Sequence, residues 1–455
     1  MEAITDAQLR LSRDSGLKRN RALLVPKFQD RNSPEHPLKP EEAAIVDPRG
    51  VMNSCGGLEN GEMRAASPGA FGRSGESFSI SVVARSELSR CAPWLSTFTD
   101  QRKDHRYYEI LNDTLQSDFE HRYFVIVDNN GRVRAIQPFF LVDQDIFEGL
   151  GTERTSWISR IRRFYPRFLK LRALMVGCSA GEAHLAATDT LPADIVAETL
   201  SNGIVAQARS LKAQLIVLKE FPSRYREVLH CFVQRGFARA PSMPMTMLDI
   251  GYDSFDAYMT KALKSSTRRK LRKKLAATAG ISDISMSVTD DATSFVDEIY
   301  PLYLQVFERS SMQFEKLTKD FFCQIGQRMS DKVRFFAWRR GNVLVAFSLC
   351  MVQGDSLYAE YVGFDYAVAL DLHLYHYVVR DMISWGIGQG YRWFRSSALN
   401  YDPKLHMRHR LDPLDLYVRH TSGLANAIFG LALPWIVPAR YDATLKLFPD
   451  YRELW

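Results

Sequence analysis

Residues 121–147 read HRYFVIVDNNGRVRAIQPFFLVDQDIF, and residues 332–358 read KVRFFAWRRGNVLVAFSLCMVQGDSLY. Each stretch is an apolar strand, a tight turn and a longer apolar strand. The turns are Asn129-Asn130-Gly131 and Arg340-Gly341-Asn342. Glycine and asparagine tolerate positive φ, so both stretches predict β-hairpins. The sequence continues alike in both places. A helical stretch at 194–211 precedes the strand AQLIVL at 213–218, and one at 371–389 precedes YRWF at 391–394. Each unit then closes with a basic, proline-containing turn and one more strand, at 235–250 and 408–420. Duplication on this scale predicts two similar domains with one site between them.

The chain has 455 residues, enough for two domains and a tail. Apolar residues at 46% and charged residues at 24% are ordinary for a soluble globular protein. Cysteines stand singly at 55, 91, 178, 231, 323 and 350, without CxxC or metal-ligand spacing. With a polar start at 1–21, this predicts a reducing, cytoplasmic setting and no metal site. A net charge of +7 suits anionic partners, or solubility alone. Residues 1–76 are rich in Pro, Gly, Ser and Asn and predict a disordered tail. Residues 86–99, carrying Trp94, Leu95 and Phe98, predict a helix. Residues 155–173 mix aromatics with arginines around Pro166 and predict an amphipathic helix, packed on the domain or lying on a membrane. Residues 424–439, LANAIFGLALPWIVPA, are short and proline-kinked for a spanning helix, and predict a packed helix or hairpin, with a membrane anchor as the alternative.

The repeated unit resembles the GNAT acyltransferase fold: a hairpin, a central strand, a helix, a further strand and a closing helix–Gly-Phe segment. Tyr225 to Phe237, YREVLHCFVQRGF, is similar to that close. Two such units joined by a basic helix, KSSTRRKLRKK at 264–274, resemble FemAB-type transferases and acetyltransferase-like domains of envelope polysaccharide synthesis. The resemblance covers 78–420. It implies an α+β fold of two tandem GNAT-like domains, each a mixed, mainly antiparallel sheet flanked by helices. The expected division is a tail at 1–76, domains at 77–250 and 251–420, and an apolar helical extension at 421–455. The implied activity is acyl or aminoacyl transfer to an amine or hydroxyl of an envelope or polysaccharide precursor. Acyl-CoA and aminoacyl-tRNA both stand as donors, without metal. The implied partners are an anionic small-molecule or lipid-linked glycan, tRNA as the one nucleic acid, and a location in the cytoplasm or peripheral at the inner membrane. The alternative is a non-catalytic module that binds an anionic glycan or nucleotide-sugar.

No triad, HExxH or Walker loop is present in the sequence. GNAT chemistry needs none, because backbone N–H groups polarise an already activated carbonyl. In the strand SLYAEYVG at 356–363, alternation puts Tyr358 and Glu360 on one face. A carboxylate in an apolar strand is costly unless paired, so Glu360 is a candidate base or amine ligand and Tyr358 a substrate contact. Arg268, Arg269 and Arg272 can present forks to phosphate or carboxylate, with Leu263, Leu271 and Leu275 as a narrow apolar stripe. The resemblance places Lys404 and Asn400 near the acceptor and makes Tyr401 a candidate leaving-group acid. At the donor loop, the second unit carries Asp365 and Asp371 and no glycine after Gly363, which disfavours phosphate. The first unit offers Gly177 and Gly181 for backbone approach to a cofactor anion, with Glu182 and His184 beside them.

Overall fold

The computed structural model describes residues 70–71, 77–88, 91–145, 170–279, 284–310 and 312–455. Apart from Ala70–Phe71, the expected tail lies outside them, as do residues 155–169 of the basic segment.

The first half runs β1 (Ala70–Phe71), β2 (Ser77–Val83), α1 (Ala92–Leu95), α2 (His105–Thr114), β3 (Glu120–Val127), β4 (Val133–Asp145), β5 (Lys170–Val176), α3 (Ala193–Ser210), β6 (Leu215–Pro222), α4 (His230–Gln234), β7 (Ala238–Pro241) and β8 (Met245–Asp249). The second runs α5 (Phe255–Ala262), α6 (Ser265–Ala279), β9 (Ile284–Thr289), α7 (Val296–Phe307), α8 (Lys319–Arg328), β10 (Val333–Arg340), β11 (Val343–Gln353), β12 (Ser356–Phe364), α9 (Leu374–Gly388), β13 (Trp393–Ser396), α10 (Tyr401–His406), β14 (Arg410–Asp412), β15 (Leu414–His420) and α11 (Gly423–Ile436). The fold is the expected α+β tandem of GNAT-like units. Both predicted hairpins form, β3 with β4 and β10 with β11, and Gly131 and Gly341 take positive φ in their turns. Each sheet holds one parallel pair, β5 with β6 and β12 with β13.

The sheets exchange their last strands. The first is ordered β1-β2-β3-β4-β5-β6-β15-β7 and the second β14-β8-β13-β12-β11-β10-β9. Thus β8 leaves the first half to sit between β13 and β14, and β15 leaves the second to sit between β6 and β7. The expectation of one closing strand per unit is therefore corrected: each segment makes two strands, in different sheets. Pro244 precedes β8 and Pro413 separates β14 from β15. Proline has no N–H to continue a ladder, so the chain is free to change sheets at these points.

One helix expectation is also corrected. Residues 86–99 give a 3-10 turn at Arg85–Glu87 and then the four-residue α1. Proline is best tolerated in the first turn of a helix, and Pro93 stands there in α1; Phe98 lies beyond it at φ 60°. The joining basic helix expected at 264–274 forms as α6, and Leu263, extended at φ −95°, ψ 142°, separates it from α5. The α2 helix, capped by the Asp104 side chain accepting from Arg106 N at 3.0 Å, was not expected.

Apolar burial explains why the halves act together. One cluster packs around α3 and another around α5, α6 and α9. The third joins side chains of both sheets, from Tyr123, Phe140 and Met175 to Ala337, Phe347 and Leu349. With a shared core and exchanged strands, neither half holds its own set of contacts. A chain ending at Pro413 lacks β15 and is expected to lose near-ultraviolet circular dichroism and cooperative melting. A cooperative transition in that chain would contradict the exchange.

Candidate functional site

The site grows from an irregularity in β12. Leu349 pairs with Tyr361 and Cys350 with Ala359, so Glu360 is the extra residue of a β-bulge. On the other side, pairing with β13 stops at Ala359↔Ser396 while β12 runs on to Phe364. The two parallel strands therefore part at the bulge. The first half parts likewise: β5 and β6 pair as far as Val176↔Leu218, and Gly177 N then donates to Pro138 O at 3.0 Å.

Four charges from both halves meet beside the bulge. Arg102 and Lys103 come from the loop before α2, Glu182 from the loop after β5, and Glu360 from β12. Arg102 Nη1 meets Glu182 Oε1, and Arg102 Nε donates to Glu360 Oε1 at 2.5 Å. Lys103 Nζ lies 3.0 Å from Glu182 Oε2 and 3.1 Å from Glu360 Oε2. Each cation touches both carboxylates, which closes a neutral ring, and no member's side chain is more than 7% exposed. Burial works against the Lys103 charge, but Glu182 and then Glu360 outweigh it and hold its pKa above the usual lysine range. Burial likewise opposes the Glu182 charge, yet Arg102 and Lys103 hold this carboxyl well below its usual range.

Around the ring lies a cleft of about 490 Å³ between the halves, lined by Arg102, Glu182, His184 and Arg224 on one side and by Tyr358 and Arg395 on the other. The Arg102 guanidinium stacks 3.6 Å from the Tyr358 ring centre. Arg395 Nη1 donates to Asp412 Oδ2 at 2.5 Å. Arg224 Nη2 donates to His184 Nδ1 at 3.1 Å, which makes His184 the neutral ring with its proton on Nε2, 3.7 Å from Glu182 Oε1. Burial, the largest influence, pushes the His184 pKa down. Arg102 Nη2, Arg395 Nε and His184 Nε2 are buried without a hydrogen-bond partner among the described residues. A bound group with acceptor oxygens would answer these donors.

The sequence-derived candidates separate into three places. Glu360 and Tyr358 stand at the ring and cleft. Tyr401, Asn400 and Lys404 gather where β13 turns away. The Tyr401 hydroxyl donates to Pro244 O at 2.8 Å and fastens the crossing segment, so an acid role requires that bond to open. Asn400 precedes α10 in the left-handed region at φ 51° and is exposed. Lys404 is 6% exposed, and its Nζ donates to Ser397 O at 2.5 Å and Leu399 O at 2.8 Å. Burial pushes this amine down to about 7. A neutral amine has two N–H donors for these two carbonyls and keeps a free lone pair. Arg268, Arg269 and Arg272 form the third place. They lie on α6, outside the cleft lining. Arg268 Nη1 donates to Thr260 O at 3.1 Å, Arg272 lies 3.7 Å from Asp256, and Arg269 is exposed. Their helix buries Leu271 in the α9 cluster, as its stripe predicted.

Gly177 and Gly181 take φ 122° and 115°. A Cβ on Gly181 would overlap Lys103 Nζ, and one on Gly177 would overlap the Ala183 side chain. The close approach that demands glycine at 181 is therefore made by the chain's own lysine. The pair Arg102-Lys103 escaped the sequence reading because RK in a polar loop looks like a solvated run. Arg224 and Arg395 carried no signal either, since only the fold brings them together.

The duplicated, splayed and bulged sheets define a tandem GNAT-like protein. Residues 155–400, more than half of the chain, match the FemAB-like family model, described as peptidoglycan biosynthesis/recognition, and the chain belongs to that family. No curated protein matches it. Among solved structures it is similar to L-PGS from Bacillus licheniformis, at 12% identity over 72% of this chain and 95% of that one, with a TM-score of 0.43. It is similar to FemX at 10% identity over 74% and 96%, with a TM-score of 0.43. It is also similar to a tandem GNAT protein from the clavulanic acid biosynthesis pathway, at 10% identity over 76% and 99%, with a TM-score of 0.42. Likeness at this distance says nothing of substrate.

Losing one partner of a buried ion pair costs about 3–5 kcal/mol. Glu182→Gln is expected to lower the urea midpoint at pH 7 accordingly. Because folding depresses the Glu182 pKa, its contribution is present above the ordinary glutamate value of 4.5 and is lost as pH falls through the folded value. The parent should lose stability on acidification more steeply than Glu182→Gln. Equal midpoints at pH 7 would contradict the ring.

Proposed function

We propose that this protein transfers an acyl or aminoacyl group to an amine of an anionic, nucleotide- or lipid-linked envelope precursor bound in the cleft between the halves. The observation that carries the reading is the β-bulge at Glu360, where β12 parts from β13 beside a cleft with unanswered arginine donors. Membership of the FemAB-like family supports the envelope setting.

In this reading the cleft arginines hold the precursor's phosphate or carboxylate oxygens. Tyr358, pinned by Arg102, forms one wall. Backbone released from the ladder at the bulge polarises the acyl carbonyl. Glu360 positions this strand, because both its oxygens are held by the ring. Lys404 lies outside the cleft lining where β13 turns away; poised near neutrality, it takes up the attacking amine's proton by relay as the donor's acyl C–O or C–S bond breaks, and the departing oxygen or sulfur receives a proton in turn. Arg268, Arg269 and Arg272 lie on α6, outside the cleft lining, and suit a large polyanionic donor that extends beyond the cleft. That favours aminoacyl-tRNA over acyl-CoA, as does the occupation of the Gly181 approach by Lys103.

The test is a transfer assay with the full chain, labelled aminoacyl-tRNA or acyl-CoA, and peptidoglycan precursors. Arg395→Lys keeps the charge and loses the fork; a hydrogen bond to a charged group is worth about 1.5–3 kcal/mol, so KM for the precursor should rise roughly ten- to hundredfold. Turnover should climb through pH 7 as Lys404 loses its proton, and Lys404→Met should abolish that limb. Precursor binding without transfer from either donor would leave a recognition module. An unchanged KM in Arg395→Lys would remove the cleft from the proposal.

A further inference from the structure

The C-terminal helix α11 presents two apolar faces, and the protein covers one. On the inner face Asn426 Nδ2 donates to Gly236 O at 2.9 Å, and Asn426 Oδ1 accepts from His420 N at 2.9 Å. Phe429 stacks on His420 with ring centres 5.8 Å apart, and Leu433 and the following Val437 are buried. These residues dock the helix on the outer edge of the first sheet, along β15 and β7. The outer face carries Leu424, Ile428, Leu431 and Trp435 at helical spacing, exposed by 79, 61, 78 and 66%. Beyond the helix, Tyr441 and Leu447 add exposures of 57 and 67%. Soluble proteins rarely leave so much contiguous apolar surface without a use.

We infer that this face of α11 lies in the surface of a lipid bilayer carrying anionic headgroups. Cations flank both ends of the stripe. At its start Arg209, itself exposed, donates from Nη2 to Thr421 O at 2.8 Å, with exposed Lys212 close by in sequence. At its end Arg440 stacks between Trp435 and Trp455, 5.1 and 5.0 Å from their ring centres, and Lys446 is exposed. An apolar stripe bounded by cations and ending in tryptophan and tyrosine matches the chemistry of the headgroup boundary. The segment Gly423–Arg440 has the length and composition to span a membrane. Its inner face is committed to β15 and β7, however, so it lies along the surface. A second copy of the chain is the weaker occupant, because two-fold pairing of a stripe with cations at both ends brings like charges together in either orientation.

The inference rests on no catalytic assignment. It is tested by floating the full chain with phosphatidylcholine vesicles, with and without an equal share of phosphatidylglycerol. The chain should float with the anionic vesicles and much less with the neutral ones, and 1 M salt should weaken binding. The double variant Leu431→Glu, Trp435→Glu changes only exposed positions. It should lose at least about tenfold in bound fraction at unchanged melting temperature, while still transferring to a soluble precursor if the proposed activity holds. Equal flotation of parent and variant would overturn the inference. So would no flotation of the parent, or a parent dimer in light scattering that the variant abolishes.

Discussion

Two buried cations sharing two buried carboxylates hold this molecule's halves in register. The desolvation of four charges is tolerable only because each oxygen and each cation meets an opposite charge. Three members belong to the first half and one, Glu360, to the second. The ring therefore forms only when β12 stands where it does against the loop before α2. Its demands reach outward. Gly181 must lack a Cβ because Lys103 fills that space. The loop after β5 is held by Gln137, which donates to His184 O and accepts from Ala186 N. Tyr358 must stay flat under Arg102.

The exchange of β8 and β15 serves the same end. Each half supplies a strand to the other's sheet, and the shared apolar cluster fills the space between. A cleft built this way has walls that cannot drift apart without unpairing a strand. It holds Arg102 and Arg395 in place along the cleft in advance of a ligand, which lowers the ordering cost of binding.

Much of the architecture was legible because it is written in local chemistry. The two hairpins follow from turn residues between alternating apolar runs, and α3 and α9 from their periodicity. Strand exchange was not legible, because RAPSMPMTML and RLDPLDLYV show where a ladder breaks but not which sheet receives the next strand. The site was half legible. Glu360 stood out as a carboxylate in an apolar strand, and its pairing follows from the cost of burying it alone. Its partners did not stand out, since Arg102 and Lys103 lie about 250 residues earlier in a loop of ordinary polarity. Lys404 was placed near the acceptor by resemblance; its low proton affinity comes from burial that no local pattern announces.

The central claim is that an anionic precursor binds between the halves, against the ring. Hydrogen-exchange mass spectrometry of the full chain, with and without a nucleotide-linked peptidoglycan precursor, tests it directly. The account predicts new protection in peptides covering 182–184, 222–224 and 353–358, from both halves at once. Protection confined to α6, or to one half alone, would contradict it.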